Sequence, residues 1–467
     1  MGLMILLLYS LLIFYASTKT VSKRPDSSIH VLSQPAGRHC GGRSSAFFVN
    51  NRAGTALDVA LSTIVSCIGA SATIGTIGLA FKVGTPAFWW LGAGCMGLTL
   101  LSLFLAGKVR ASGAYTLPEL SEKILGRRAR SLIAVVIVVA WLAILAAQFA
   151  AITGVLGALT GLSRPFCQVI GFALIVLHTL GGQAAIMRVD RFQAFILLAA
   201  LGIFLLWLSG QNPGWATGTG IELVNQGFPA EKLVYFILII GGNYLVCPML
   251  FGRFFSAKNE REAKLGGLLA VGGLALGSAL IVAIGLACQG LLPSETFGDQ
   301  VLPKALSLAP GWMNILISIA LVSAIVSSAD SCLLTAGTVM ANDLLNSDAP
   351  AVGRRCILIL GLSGLLLSLA GKGILDYLLM AYDVYVCGVV APVFIGLFFN
   401  RRQIKSGRAC SAIVTGGLLG AASALSGIIY FSYAGLLAAT IVCLTGLRPR
   451  VVDSSSQNKV YQAEQSS

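Results

Sequence analysis

Apolar stretches of about 20 residues recur along almost the whole chain, and this is the feature that most limits its fold. A helix of about 20 residues crosses the roughly 30 Å of hydrocarbon in a bilayer. With 56% hydrophobic and 11% charged residues, the 467-residue chain lacks the polar cover of a water-soluble globule. The sequence therefore predicts an all-α integral membrane protein with about 13 transmembrane helices.

The apolar stretches also predict where the helices lie. The expected spans are residues 2–16, 56–80, 86–107, 131–161, 165–187, 190–209, 233–252, 263–289, 311–342, 354–371, 377–399, 407–428 and 430–446. Two longer connections, near 210–232 and 290–310, are expected as outer loops. A polar cytoplasmic tail is expected at 447–467.

The distribution of basic residues predicts the orientation. The net charge is +14, but all except five of the 32 Lys and Arg residues lie in every second connection. This alternation is typical of cytoplasmic loops and not of nucleic-acid binding, so we expect no nucleic-acid partner. It predicts a multi-pass protein of the plasma (inner) membrane, with the N-terminus outside and the C-terminus in the cytoplasm. Arg253 is counted among the cytoplasmic charges because it follows the expected span 233–252.

Glycines interrupt two spans that lie five spans apart. The stretches read SCIGASATIGTIGLAF and LIIGGNYLVCPMLF, and Pro248 adds a second helix breaker to the latter. In transporters built from inverted repeats, paired broken helices expose backbone carbonyls near the middle of the membrane, where solutes and ions bind. Glycines that only allow close helix packing are the alternative. The matched positions favour two broken helices.

Several hydroxyl groups and a carboxyl group interrupt another apolar span, within AIVSSADSCLL. At helical spacing Ser327, Ser328, Ser331 and Thr335 share one face, and Asp330 lies on an adjacent face. Oxygen ligands of this kind suit a hard cation such as Na⁺. The alternative is that the serines bond to their own helix and that Asp330 reaches cytoplasmic water.

The chain resembles the sodium/solute symporter family, which includes carriers of proline, sugars, sialic acid and pantothenate. The resemblance rests on motifs in the expected order: AFFVNNRAG, GASATIG, GAYTLPELSEKILG, RVDRFQA, GRFFSAKNEREAK, SSADSCLL and GVVAPVFIGLFFNRR. It implies a leucine-transporter-like fold of 5+5 inverted repeats. The implied segments are an extra N-terminal helix at 1–16, a basic cytoplasmic loop at 17–55, repeats at 56–209 and 233–399, two extra C-terminal helices at 407–446 and the tail at 447–467.

The resemblance also implies two cation sites. The first would combine the break of the second span with the ninth span, at Ala70, Thr73, Ala324, Ser327 and Ser328. The second, present in some relatives, would lie nearer the cytoplasm at Asp190, Ser327, Asp330 and Ser331. Those relatives carry serine where this chain has Asp330, so the second site is expected to hold Na⁺ or a proton.

A solute pocket is expected between the two helix breaks. Its implied lining residues are Ser71, Gln148, Asn243, Tyr244, Tyr382 and Asp383. Asp383 between tyrosines would suit a cationic solute, but pairing with a neighbouring helix or a place in a wet outer vestibule is favoured. His178 is expected to bond to a neighbouring helix in preference to relaying protons.

These features predict Na⁺-coupled import of a small polar or charged organic solute by alternating access. A proton-coupled porter that uses Asp330 and Asp190 is the first alternative. A solute sensor is the second, although no kinase-sized segment follows residue 446. No enzyme activity or organic cofactor is expected, because the three histidines suggest no catalytic set. The expected partners are the solute, Na⁺ and the lipid bilayer, and the protein is expected as a monomer or weak oligomer.

Overall fold

The structure is a computed structural model that describes residues 42–216, 220–399 and 402–449. Three expected features lie wholly or mostly outside these residues: the helix at 2–16, the basic loop at 17–55 and the tail at 447–467.

The described chain is almost entirely helical, as the sequence predicts. Its helices are α1 (Gly42–Val49), α2 (Ala56–Cys67), α3 (Ser71–Val83), α4 (Thr85–Ala111), α5 (Leu117–Leu125), α6 (Arg127–Thr160), α7 (Arg164–Thr179), α8 (Gln183–Gln211), α9 (Ala230–Ser256), α10 (Glu260–Gln289), α11 (Gly298–Leu308), α12 (Gly311–Leu344), α13 (Pro350–Ser368), α14 (Ile374–Phe398), α15 (Ser406–Ser426) and α16 (Tyr430–Thr445). Strands β1 (Arg402–Ile404) and β2 (Leu447–Pro449) pair as an antiparallel ribbon, and β1 contacts α5 and the last part of α14.

The helices have the length and composition of membrane spans. In the described part of the chain, nine are long and apolar enough to cross a bilayer. The pair α2 and α3, bent by 61°, can form a further crossing. The shorter apolar helices α7 and α16 lie where the sequence predicts two more spans. The chain is therefore a multi-pass membrane protein.

The first predicted helix break separates α2 from α3. A capping box starts α2: the Thr55 hydroxyl accepts from the backbone of Asp58, and the Asp58 carboxylate accepts from the backbone of Thr55. The helix ends at Cys67, Ile68 has non-helical angles (φ −93°, ψ 59°), and α3 begins at Ser71. We call residues 68–70 the first break.

The second predicted break lies within α9. Val246 (φ −132°, ψ 63°) and Cys247 (φ −99°, ψ 121°) leave helical geometry, and the helix resumes at Pro248. Proline suits the first position of a helix because it has no N–H to leave unpaired. We call residues 246–247 the second break. The structure confirms that both glycine-containing spans are broken.

Two boundaries differ from the sequence prediction. The fifth predicted span, 165–187, is shorter, because α7 ends at Thr179 and Gly182 adopts a left-handed φ of 75° that starts a new helix. Asp190, the first residue of the predicted span 190–209, consequently lies two turns inside α8. The connection 290–310 was expected as an outer loop, yet it contains α11.

Helix α12 lies at the centre of the molecule. Of its most apolar window, 83% is buried inside the protein, against 33% for α15. Helices α2, α6, α7, α8 and α13 pack around it. Polar residues on α12 are therefore shielded from lipid, and they need partners on these neighbouring helices.

Candidate functional site

Helix α12 touches the first break through Ser328. The Ser328 hydroxyl donates to the carbonyl of Ser66 at 2.8 Å, one residue before the end of α2. Gly69 approaches so closely that a Cβ there would lie 2.2 Å from Ser328 Oγ. Only glycine fits this contact without displacing the serine. The predicted meeting of the broken span and AIVSSADSCLL is thus present in the structure.

The other residues of the predicted first cation site are also buried. Ala70, Thr73 and Ala324 are each 0% exposed, so their oxygens are sheltered from water. The Thr73 hydroxyl donates to the Gly69 carbonyl at 2.8 Å and lies 3.4 Å from the Ala70 carbonyl. These carbonyl and hydroxyl oxygens have no formal charge, and such ligands suit a monovalent hard cation.

The residues of the predicted second cation site also lie together. Asp190 accepts hydrogen bonds from Ser62 at 2.5 Å and from Ser327 at 2.6 Å, so this carboxylate links α2, α8 and α12. Ser331 donates to the Asp330 carboxylate at 3.2 Å. Asp330 is completely buried and does not reach water in this structure.

His178 is the partner of Asp330. Its Nδ1 atom bonds the second carboxylate oxygen of Asp330, joining α7 to α12. The expected hydrogen bond between His178 and a neighbouring helix is therefore observed. No hydrogen-bond partner of His178 Nε2 is found among the described residues.

Arg253 also belongs to this group, which the sequence analysis did not predict. Only 1% of the residue is exposed, and its Nε donates to Ser62 at 3.1 Å. One terminal nitrogen donates to Ser66 and, at 2.5 Å, to Ser331, and lies 3.9 Å from an Asp190 oxygen. We call Asp190, Arg253, Asp330 and His178 the charged cluster. Counting Arg253 as a cytoplasmic loop charge was wrong, because the second half of α9 continues to Ser256.

A central cavity of about 40 Å³ lies between the two breaks. It is lined by most of the predicted solute-binding residues: Ser71, Gln148, Asn243, Tyr244 and Tyr382. Ser328 also lines it, so the cavity adjoins the predicted first cation site. Gln148 lies 3.4 Å from the backbone nitrogen of Ala70 and connects α6 to the first break.

Further lining residues were not predicted from the sequence. Cys67, Cys247, Cys332 and Met249 give the cavity several sulfur atoms. Trp141, interpreted from the sequence as an interface or packing residue, also faces it. The Trp141 indole nitrogen and the Asn243 side-chain oxygen have no hydrogen-bond partner within the described ranges. A buried donor and a buried acceptor are thus available beside the cavity.

Asp383 does not line the central cavity. Its carboxylate accepts from Tyr235 and Ser432, both at 2.7 Å, and from Ser423 at 3.3 Å. It lies instead beside a second cavity of about 640 Å³ that Glu231 and Lys372 also line. The hydrogen bonds agree with the favoured pairing of Asp383 with neighbouring helices, and the outer-vestibule position stays a prediction.

Known proteins share this architecture. A Na⁺-coupled sialic acid symporter, solved with substrate in an outward-open state, superposes with a TM-score of 0.79 at 13% identity, over 97% of this chain and 99% of the other. Mhp1, a nucleobase-cation-symport-1 family transporter, gives a TM-score of 0.61 at 16% identity, over 86% and 94% of the two chains. MhsT in complex with L-phenylalanine gives 0.57 at 15% identity, over 84% and 99%. The leucine-transporter-like fold is thereby confirmed.

Sequence comparison identifies the family. A sodium/glucose cotransporter of Vibrio parahaemolyticus is 24% identical in an alignment of 408 residues, with a coverage of 74% of this chain and 74% of the other. The model of the sodium:solute symporter family matches residues 47–416, from α1 to the first half of α15. The family consists of transporters, which agrees with the expectation that the chain is not an enzyme. The chain therefore belongs to the sodium:solute symporter family and is a Na⁺-coupled symporter.

Proposed function

We propose that this protein imports a small polar organic solute and that Na⁺ binds between the first break and α12. The observation that carries the proposal is the contact of Ser328 with Ser66 and Gly69. It places a hydroxyl of α12 against the end of the broken helix, beside the central cavity. The proposed ligands are oxygens of Ala70, Thr73, Ala324, Ser327 and Ser328.

Binding of Na⁺ at this place would couple ion and solute through geometry. A cation shared by the broken helix and α12 holds the two together, and Ser71, in the first turn of α3, lines the solute cavity. A ligand shifts a conformational equilibrium only by its difference in affinity between the states. Na⁺ therefore favours the state in which the solute site is complete, and its release to the cytoplasm permits the inward-open state.

The central cavity supports a solute that is recognised mainly by neutral groups. No Asp, Glu, Lys, Arg or His is among the described residues that line it. The side chains of Asn243, Gln148 and Trp141 offer amide and indole hydrogen-bonding groups, and the half-helices starting at Ser71 and Pro248 direct their positive dipole ends toward it. A cationic solute has no counter-charge there, so we propose an uncharged or zwitterionic polar solute.

Ligand-dependent stabilisation of the purified protein tests the proposal. Neutral, zwitterionic, anionic and cationic solutes are added separately in NaCl or KCl, and the midpoint of thermal unfolding is measured. A specific ligand at 100 times its Kd stabilises by about 2.7 kcal/mol, which shifts the midpoint clearly. We expect at least one neutral or zwitterionic solute to stabilise in NaCl and not in KCl. Equal shifts in both salts would contradict Na⁺ coupling, and stabilisation by cationic solutes alone would contradict the solute class.

Proton coupling is a second candidate, favoured by the buried pair of His178 and Asp330. A protonatable pair beside Ser331 could exchange a proton between the two states of the transport cycle. Uptake into vesicles without Na⁺, driven by an inward proton gradient, distinguishes the candidates. Sustained uptake that collapses with a protonophore would favour the proton; absence of uptake until Na⁺ is added would favour Na⁺.

The orientation is a further proposal. We propose that the protein lies in the plasma (inner) membrane as a monomer or weak oligomer, with its N-terminus outside and its C-terminus in the cytoplasm. The support is the concentration of Lys and Arg in alternate connections, including the exposed Arg127 and Arg128 at the start of α6 and the basic connection before α15. Ser426→Cys and Arg128→Cys, each labelled with a thiol reagent from either side of the membrane, measure this orientation.

A further inference from the structure

The second cavity, beside Asp383, carries charges of both signs. It lies at the end of the helix bundle where α9 and α14 begin and α15 ends. Its lining includes Lys232 and Lys372 together with the carboxylates of Glu231 and Asp376. Within the described ranges, neither lysine forms an ion pair with a carboxylate. At about 640 Å³ the cavity has a size usual for a small-molecule site.

Asp383 connects the helices around this cavity. Its carboxylate accepts hydrogen bonds from Tyr235 on α9, Ser423 on α15 and Ser432 on α16. Three donors already hold this carboxylate, and only 4% of the residue is exposed. The charges that remain for a ligand are therefore those of the two lysines and the other two acids.

An open groove of about 580 Å³ adjoins the cavity between α9 and α16, and Glu231 lines both. The other residues along the groove recur every three or four positions, so they share one face of each helix. They are Val234 and Leu238 on α9, and Tyr433, Leu436, Leu437 and Thr440 on α16. From Glu231 to Leu238 the groove follows α9 for about 10 Å. A charged cavity thus leads into a mainly apolar groove.

The position of the groove matches the layers of a bilayer. Leu437 is 61% exposed and Val234 is 48% exposed, so this apolar surface faces the lipid. The Tyr433 hydroxyl donates to the Glu231 carbonyl at 2.8 Å, and the ring of exposed Tyr430 lies 6.2 Å from that of Tyr433. Tyrosines concentrate at the level of the lipid headgroups. The cavity therefore lies at headgroup level, and the groove extends into the hydrocarbon.

We propose that the second cavity and the groove together bind one molecule of phosphatidylethanolamine, a phospholipid with a primary ammonium headgroup. Lys232 and Lys372 bind its phosphate, the carboxylates of Glu231 and Asp376 accept from its ammonium group, and an acyl chain lies in the groove. Charge complementarity selects this lipid. Phosphatidylglycerol offers no cation to the two carboxylates, and the choline group of phosphatidylcholine has no N–H to donate. The bound lipid links the first half of α9 to α14 and α16.

Competition between lipids on the purified, delipidated full-length protein tests this proposal. Phosphatidylethanolamine, phosphatidylcholine and phosphatidylglycerol with identical acyl chains are added in equal amounts in detergent, and native mass spectrometry counts the molecules bound. We expect one phosphatidylethanolamine per chain to be retained in preference to the other two. Equal retention of all three lipids, a preference for another lipid, or a protein dimer that binds no lipid would overturn the proposal.

The lysines test the phosphate contact. Lys232→Ala/Lys372→Ala should bind phosphatidylethanolamine roughly 10-fold more weakly, equivalent to about 1.4 kcal/mol, because the phosphate loses both of its charged partners. Lys264→Ala/Lys304→Ala is the matched control, since these exposed lysines lie on α10 and α11. It should bind the lipid as the wild type does. Equal weakening in both double variants would reduce the effect to general surface charge and contradict a site.

Two further variants separate the headgroup from the acyl chain. Glu231→Gln/Asp376→Asn should lose the preference for phosphatidylethanolamine over phosphatidylcholine, because the ammonium N–H groups lose their carboxylate acceptors. Leu437→Trp adds bulk at an exposed position, so it should fold and yet fill the groove, which weakens the binding of this lipid. An unchanged preference in the first variant, or unchanged binding in the second, would show that the lipid does not lie as proposed.

Discussion

Two adjacent parts of α12 differ in the charge of the groups that surround them. Around Ser328 the groups near the first break are hydroxyl and carbonyl oxygens without formal charge, close to the central cavity. Two residues further along, Asp330 belongs to the charged cluster and bonds His178, and the next residue, Ser331, bonds Arg253 of the same cluster. The Na⁺ proposed at the first part would come from solution, whereas at the second part the side chain of Arg253 already lies 3.9 Å from the Asp190 carboxylate. Adjacent residues of one buried helix thus have neutral and charged surroundings.

The largest expected effect comes from leaving a carboxylate of the charged cluster without its arginine. Removing one partner of a buried ion pair costs about 3–5 kcal/mol, so Arg253→Gln should lower the thermal midpoint strongly in KCl. Asp190→Asn/Arg253→Gln removes both charges and should recover a large part of the loss. The thermal midpoints of the wild type, Arg253→Gln, Asp190→Asn and the double variant form a double-mutant cycle.

Measurement in NaCl as well as KCl extends this first prediction. If a second Na⁺ replaces the guanidinium group, Arg253→Gln should be less destabilised in NaCl than in KCl, relative to the wild type. Additive effects of the two substitutions would show that Asp190 and Arg253 do not interact energetically.

The next effect concerns the close contact at the first break. In Gly69→Ala the new Cβ would lie 2.2 Å from Ser328 Oγ, so either the break or the serine must move. Overpacking of this kind costs about 1–3 kcal/mol, which corresponds to roughly 5- to 150-fold weaker Na⁺ binding if the strain falls on the site. Isothermal titration with Na⁺ measures the Na⁺ affinity of this variant. Gly154→Ala is the control because a Cβ there meets nothing within 4 Å. Equal Na⁺ affinities of the two variants would show that the contact at Gly69 does not affect Na⁺ binding.

Ser328→Ala should have a smaller effect, limited to Na⁺. Loss of one hydroxyl ligand is expected to weaken Na⁺ binding by about 1–2 kcal/mol, or roughly 5- to 30-fold. Ser331→Ala removes a hydroxyl one turn away that bonds Arg253, and it should lower stability without changing the Na⁺ affinity. If both variants weaken Na⁺ binding equally, the division between the two parts of α12 is wrong.

Much of this arrangement was predictable from the sequence because lipid restricts the choices. Length, hydropathy and the glycines at both breaks predicted the helical fold and the broken spans, since exposed backbone in a membrane has few solutions. The spacing of Ser327, Ser328 and Ser331 predicted their shared face. The resemblance to symporters also predicted that Asp190 and Asp330 lie in one site.

The missed features depend on contacts between distant segments. Arg253 directly follows an apolar run, so hydropathy alone predicted that the span ends before it. Its partners are far away in sequence: Ser66 on α2 is 187 residues from it and Ser331 on α12 is 78 residues from it. The signal available was a single arginine five residues after Pro248, too near the second break to lie in a loop. Likewise, nothing local in the sequence directs Asp383 toward Tyr235 and away from the central cavity.

The smallest expected effect tests whether burial, and not the mere pairing of arginine with aspartate, gives Arg253 its role. Arg191 bonds Asp58 at 2.5 Å, but half of its side chain is exposed, two turns inside α8. Because water and salt screen such pairs, Arg191→Ala should cost only about 0.2–1 kcal/mol, and less at high ionic strength. The thermal midpoint measured in low and high KCl checks this. A loss as large as that of Arg253→Gln would mean that burial does not distinguish the two arginines, since both face a carboxylate on a neighbouring helix and differ chiefly in their access to water.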